Sequence, residues 1–192
     1  MKLCFATHNE NKLKEIRQLV PEGIAVVSLN ELGQLDEIPE TGETLVENSE
    51  LKARFVLEKF SIPVFADDSG LEIDALEGRP GVYSARYAGL QKNSDDNMDK
   101  VLSEMKDESD RSARFKSVIT FLDPAGRKEI FEGAVEGTII NEKRGHGGFG
   151  YDPIFIPEGH DRTFAQMTDD EKNSMSHRAR ALAKFLKFLE VE

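Results

Sequence analysis

Seven consecutive residues, Gly147-Gly148-Phe149-Gly150-Tyr151-Asp152-Pro153, combine three glycines, an aromatic ring and a carboxylate. Glycine admits positive φ and close backbone approach. A phenylalanine in so permissive a loop is poorly placed for a core and well placed to stack on a flat ligand. Asp152 can then accept hydrogen bonds from ring N–H groups. The same residues also read as a glycine-rich turn before a strand, with Phe149 folded back into the core.

Four further groups could act with that loop. Thr7-His8-Asn9-Glu10-Asn11-Lys12 lies between an apolar strand and a helix. A helix N-terminus offers free N–H groups and the positive end of the dipole, which favour anions. Lys12 adds a cation one turn in. The alternative is an ordinary helix cap by Thr7 or Asn9, and the segment lacks the Walker spacing. Asp67-Asp68 ends an apolar run and precedes Ser69-Gly70. Two adjacent carboxylates repel, so a fold that keeps them there offers a cation or a proton. One suits magnesium and one suits orienting or deprotonating water. The alternative is a solvated turn. Glu40, just before a helix, is a further carboxylate. Lys172 and Ser176-His177-Arg178 flank the last helix. His177 and Arg178 point about 100° apart on a helix, so both reach one ligand only near the helix start. The alternative is a solvated helix terminus. His8, His146 and His160 lack zinc-ligand spacing.

The elements that must hold these groups alternate between strand and helix. Leu3–Thr7 reads as a buried strand and Lys12–Val20 as a helix, with Leu13, Ile16 and Leu19 or Val20 on one face and Pro21 ending it. Thr44–Phe60 is a second helix, with Leu45, Leu51, Phe55 and Val56 facing the core. Pro63–Ala66 is a strand that stops at Asp67, and Leu71–Ile73 resumes it. Ser94–Met105 is helical. Arg114–Leu122 and Lys128–Ile140 form a hairpin across Asp123-Pro124-Ala125-Gly126. Thr168-Asp169-Asp170-Glu171 has the form of a capping box. Ala179, Leu182, Ala183, Leu186 and Leu189 form the apolar stripe of a C-terminal helix. The fold class is α/β with an antiparallel insertion.

Bulk properties narrow the function. The chain has 192 residues, 39% hydrophobic and 32% charged, which suits one globular domain or one domain with two lobes. A net charge of −11 repels long polyanions, so a sequence-independent nucleic-acid binder is not expected. A small phosphate ligand with a metal ion is not excluded. Cys4 is the only cysteine, which leaves no intrachain disulfide. No apolar run approaches the roughly 18 residues of a membrane span, and the opening residues turn polar too soon for a signal peptide. The expectation is a cytoplasmic protein.

Phosphate cradle, carboxylate metal site, stacking ring and closing basic segment are the parts of a nucleoside triphosphate site. Their order and spacing resemble the inosine triphosphate pyrophosphatase family, enzymes that hydrolyse ITP, dITP and XTP. The resemblance rests on Thr7–Lys12, Phe65-Ala66-Asp67-Asp68-Ser69-Gly70-Leu71, Pro80-Gly81-Val82-Tyr83-Ser84-Ala85-Arg86-Tyr87, Gly148–Pro153 and Ser176-His177-Arg178. It covers essentially the whole chain, residues 1–192, as one domain. It implies an elongated, two-lobed, mixed-sheet fold with a central substrate cleft, and a homodimer. It implies Asp68 as general base, Asp68 and Glu40 as the Mg²⁺ site, and Thr7, His8, Asn9, Glu10, Asn11, Lys12 and Lys52 at the phosphates. Ser69 lies beside the substrate; Phe149 stacks on the base, Gly150 and Tyr151 belong to the substrate site, and Asp152, Lys172, His177 and Arg178 line the base and phosphate pocket. Tyr83–Arg86 is structural or near the dimer contact. Two alternatives stand beside this reading: a pyrophosphatase for modified pyrimidine nucleotides, like the Maf proteins, and a non-catalytic nucleotide sensor.

Overall fold

The computed structural model describes residues 1–190. In chain order the strands are β1 (Lys2–Phe5), β2 (Ala25–Ser28), β3 (Val64–Ile73), β4 (Ser112–Leu122), β5 (Lys128–Ile139) and β6 (Phe155–Pro157). The helices are α1 (Glu10–Leu19), α2 (Leu45–Phe60), α3 (Ser94–Glu104), α4 (Asp169–Asn173) and α5 (His177–Glu190). The strands form a six-stranded sheet in the order β2-β1-β3-β4-β5-β6. β1 runs parallel to β2 and to β3, and β5 runs antiparallel to β6. The chain divides into two compact units. The first comprises Met1–Asp68, Ser117–Gly133 and the segment from Arg178 onward; the second comprises Ser69–Lys116 and Ala134–His177.

Side chains alternate across a strand, so a central parallel strand buries both faces. In the first unit, Leu3 and Phe5 of β1 and Phe65 of β3 point to one side and pack with Leu13 and Ile16 of α1 and Ala181, Leu182 and Phe185 of α5. Phe5 and Phe65 stack with centroids 4.7 Å apart. Cys4, Ala6, Val64 and Ala66 point to the other side and pack with Ala53 and Val56 of α2. Burial pushes the Cys4 thiol up to about 12, which leaves it an inert core group. The second unit has its own core, built on Leu71, Ile73, Met98, Val101, Phe115, Phe155 and Phe164.

Several expectations hold. Gly126 N donates to the Asp123 carbonyl at 3.0 Å, so the turn between β4 and β5 lies where the composition puts it. The capping box at α4 is complete: Glu171 N donates to Thr168 Oγ1 at 3.2 Å, and Thr168 N donates to Glu171 Oε2 at 2.8 Å. Others need correction. β3 does not stop at Asp67; it runs unbroken through Asp67-Asp68-Ser69-Gly70, because pairing and burial override the turn-like composition. α1 begins at Glu10 rather than Lys12, directly after its cap Asn9. Leu51 of α2 is 38% exposed and Leu45 only partly buried, while Asn48, Ser49 and Lys52 are buried. That helix turns a polar stripe inward. In α5, Ala183 is exposed and the buried face centres on Ala181, Leu182 and Phe185. The four-residue β2 is too short to show a period in the sequence.

Candidate active site

The first group forms where β3 carries two aspartates in succession. The pleat sends them to opposite faces. Asp67 follows Phe65 towards α1 and α5, where Lys12 Nζ meets its Oδ1 at 3.0 Å and Arg178 Nε its Oδ2 at 3.0 Å. Asp68 follows Ala66 towards α2, where Lys52 Nζ lies 3.7 Å from its Oδ1. The same ammonium donates to Glu40 Oε1 at 2.6 Å and to the Asp67 carbonyl at 2.7 Å. Arg178 also pairs with Glu15 of α1. Asp68 Oδ2 is buried and accepts no hydrogen bond.

The two neighbours therefore titrate in opposite directions. Burial raises the Asp67 carboxyl, but Lys12, then Arg178 and Lys52, outweigh it and hold it well below the usual range. Asp68 is raised, first by burial and further by Glu40 and Asp67, and Lys52 and Lys12 only partly offset this. One carboxylate is a fixed charge and the other is tuned towards proton exchange. Burial lowers Lys12, while Asp67 holds its proton on. Burial also opposes charge on Lys52, but Asp68, Glu40 and Asp67 outweigh it and raise it.

From the loop Thr7–Lys12, Lys12 reaches this group. Asn9 Oδ1 accepts from the amides of Asn11 and Lys12 at 3.0 and 3.1 Å, an ordinary cap. Thr7 Oγ1 accepts from Asn9 N at 3.1 Å. The His8 ring engages Asn30 Oδ1 and the Asp36 carbonyl, and Glu10 Oε1 accepts from Asn30 Nδ2. Asn11 is exposed.

The second group forms within the other unit. Phe149 is half-buried and lies outside the apolar cluster that holds Tyr151, Phe155 and Phe164, so it does not fold back into the core. Asp152 Oδ2 accepts from Phe149 N at 2.9 Å and from Lys172 Nζ at 2.7 Å. Lys172 Nζ stands 4.5 Å from the Phe149 ring centroid, a cation–π contact. Asp152 and Lys172 are 2% and 4% exposed, so this is a desolvated ion pair. Gly148 has φ 65° and sits where a Cβ would lie 2.0 Å from Asp152 Oδ2, so only glycine fits. Gly150 shares the left-handed conformation, with φ 63°. Tyr151 is buried and its hydroxyl donates to the Ser84 carbonyl at 2.6 Å. The His177 ring stacks on Phe115 at 4.8 Å and 13°. Ser69 is half-buried in β3.

The structure thus brings Lys12, Lys52, Glu40, Asp68 and Arg178 together, and separately Phe149, Asp152 and Lys172. Arg178, read in the sequence as lining the base and phosphate pocket, pairs with Asp67 and Glu15. Sequence reasoning missed Glu15 and the distinct part of Asp67. One signal was available: Glu15 lies three residues after Lys12 on α1, beside Leu13 and Ile16, a charge on an apolar face.

The Ham1 family model matches residues 3–188. A dITP/XTP pyrophosphatase of Bacillus subtilis is 52% identical over 189 residues, covering 97% of this chain and 96% of that one. A dITP/XTP pyrophosphatase of Flavobacterium johnsoniae is 49% identical over 189 residues, covering 98% of each. Among solved structures, a HAM1 protein from Coxiella burnetii superposes with a TM-score of 0.92 at 40% identity, covering 100% of both chains. The Staphylococcus aureus Ham1 protein gives 0.90 at 38%, covering 99% of this chain and 98% of that one.

Proposed function

The chain belongs to the Ham1 family, and we propose that it hydrolyses nonstandard purine nucleoside triphosphates, ITP, dITP and XTP, to the monophosphate and pyrophosphate. The observation that carries this reading is the pair Asp67-Asp68: adjacent, buried, and shifted in opposite directions. Asp68 has the raised basicity and an oxygen not committed to any hydrogen bond, as a general base requires. In this reading it takes a proton from the water that attacks the α-phosphorus, and pyrophosphate leaves. Lys12 and Lys52 bind the phosphate oxygens. Asp67 holds Lys12 in place and charged.

Counting charge supports a metal ion. The cluster holds three cations (Lys12, Lys52, Arg178) against four carboxylates (Glu15, Glu40, Asp67, Asp68). It has no surplus positive charge for a triphosphate. Among the described residues no three His, Cys, Asp or Glu side chains gather into a cage. That donor set fits Mg²⁺, which keeps waters and binds through one or two carboxylates plus substrate phosphates. Asp68 and Glu40 would hold it, and it supplies charge neutralisation when bound.

Phe149 offers its ring to the purine, with Gly148 and Gly150 letting the backbone close beneath it. Lys172 and His177 provide donors for a 6-oxo group. A 6-amino group leaves such donors unpaired, at about 1–3 kcal/mol each. The protein acts as a cytoplasmic homodimer on a small-molecule substrate, with 1–192 as one catalytic domain. A nucleotide panel that separates pyrophosphate from orthophosphate release tests the reading. ITP, dITP and XTP should yield pyrophosphate with Mg²⁺ present. Orthophosphate release, a preference for dUTP, dTTP or 5-methyl-UTP, or no turnover would each overturn it.

A further inference from the structure

Ser84 lies outside both groups, yet it joins segments that lead to each of them. It is 7% exposed. Its Oγ accepts from Leu71 N at 2.9 Å and donates to the Gly81 carbonyl at 2.6 Å. Its carbonyl accepts the Tyr151 hydroxyl at 2.6 Å. Asn97 of α3 supports the same turn, donating to the Ala85 carbonyl at 3.1 Å and accepting from Ala88 N at 2.7 Å. Gly70 approaches this turn so closely that a Cβ there would stand 2.4 Å from the Gly81 carbonyl. One buried serine therefore fixes the stretch of β3 that follows Asp68 and, two residues from Phe149, the aromatic loop.

The loop needs such a fixture. Gly148 and Gly150 both sit at positive φ, and glycine has many other conformations open to it. On one side Asp152 and Lys172 restrain Phe149. On the other, the Tyr151–Ser84 bond is buried, so its loss is not made good by bulk water.

We infer that Ser84 and the Tyr151 hydroxyl are a positioning pair that holds Phe149 in its ligand-ready orientation. Neither touches substrate; they act through the loop. The inference rests on the function proposed above for its kinetic arm only. Losing the hydroxyl lowers the fraction of loops ready to bind, and apparent affinity falls by that fraction.

Two measurements test this. The chain contains no tryptophan, so Phe149→Trp places a single tryptophan, excited apart from the tyrosines, in the loop. Adding Tyr151→Phe to that variant should lower the anisotropy and increase acrylamide quenching, with no nucleotide present. In the native background, Tyr151→Phe should lower kcat/KM about three- to tenfold, the equivalent of one hydrogen bond, mainly through KM and alike for ITP and ATP. Ser84→Ala keeps the carbonyl but strips Leu71 N of its acceptor, and should shift KM the same way. Unchanged fluorescence, or a loss confined to kcat, or a lower Tm with KM unmoved, overturns the pair's role. Wild-type protein that fails to hydrolyse ITP overturns the function instead and leaves the fluorescence arm standing.

Discussion

Asp68→Asn separates catalytic from structural duty at the position that matters most. Asparagine keeps the shape and removes the charge. The loss of a positioned general base costs about 10²–10⁴ in rate, which is roughly 2.7–5.5 kcal/mol of barrier at 1.36 kcal/mol per decade. Stability should move the other way. Asp68 is 7% exposed, its Oδ2 accepts nothing, and its carboxyl is raised by burial and by Glu40 and Asp67. An acid whose folded pKa is raised holds its proton longer in the fold than in the unfolded chain. Its contribution is therefore neutral at low pH and becomes a cost as pH rises past the unfolded value of about 3.9, reaching its full size above the folded pKa. Each pKa unit of elevation costs about 1.4 kcal/mol at neutral pH. Asparagine escapes that cost. Lys52 keeps Glu40 and the Asp67 carbonyl as partners. A gain of 1 kcal/mol moves Tm by about 2–4 °C for a chain of this length. Steady-state pyrophosphate release from ITP, with the metal saturating, gives the first arm. Thermal unfolding of wild type and variant at several pH values gives the second. Turnover should fall at least 10²-fold while the variant's Tm advantage grows from near zero at acid pH towards neutrality. Turnover within about tenfold of wild type would falsify Asp68 as the base. A variant several degrees less stable would show that the carboxylate is structural.

Three further outcomes follow from the same geometry. The acid limb of kcat/KM should lie above the ordinary aspartate range, with rate rising as Asp68 loses its proton; Lys52→Met, which removes the largest charge opposing that elevation, should move the limb higher still. An acid limb at the ordinary carboxylate value would refute this. Lys12→Ala should weaken triphosphate binding about tenfold or more, as expected for a charged hydrogen bond worth 1.5–3 kcal/mol, and leave binding of the free nucleoside nearly unchanged by calorimetry. Equal affinities before and after would return Thr7–Lys12 to being a helix cap alone. Arg178→Ala strips Asp67 and Glu15 of their buried counter-charge and should cost about 3–5 kcal/mol of stability, whereas His177→Ala should fold and lower the ITP/ATP ratio of kcat/KM. A stable Arg178→Ala protein altered only in that ratio would reverse the two assignments.

Much of the frame was legible because periodicity and turn chemistry are local. The hairpin at Asp123–Gly126 and the capping box at Thr168 both follow from residues within one or two turns of one another. The failures share a cause in contacts distant along the chain. Asp67-Asp68-Ser69-Gly70 has the composition of a turn, and only the strand beside it keeps it extended. Leu51 belongs to a helix whose inward face was set by where Lys52, Asn48 and Ser49 had to go.

The site divides in the same way. Residue types in Asp67-Asp68, Gly148–Asp152 and His177-Arg178 pointed to the chemistry, but not to the partition among them. That partition depends on β3 continuing. If a strand ended at Asp67, both carboxylates would share one solvated loop and one set of cations. A strand that persists makes them face opposite ways. Lys12 and Arg178 then fall to Asp67, and Lys52 and Glu40 to Asp68. The difference in proton affinity between two identical, adjacent side chains is thus a consequence of pleat. It needs no residue that the sequence failed to display, only the knowledge of which face each one takes.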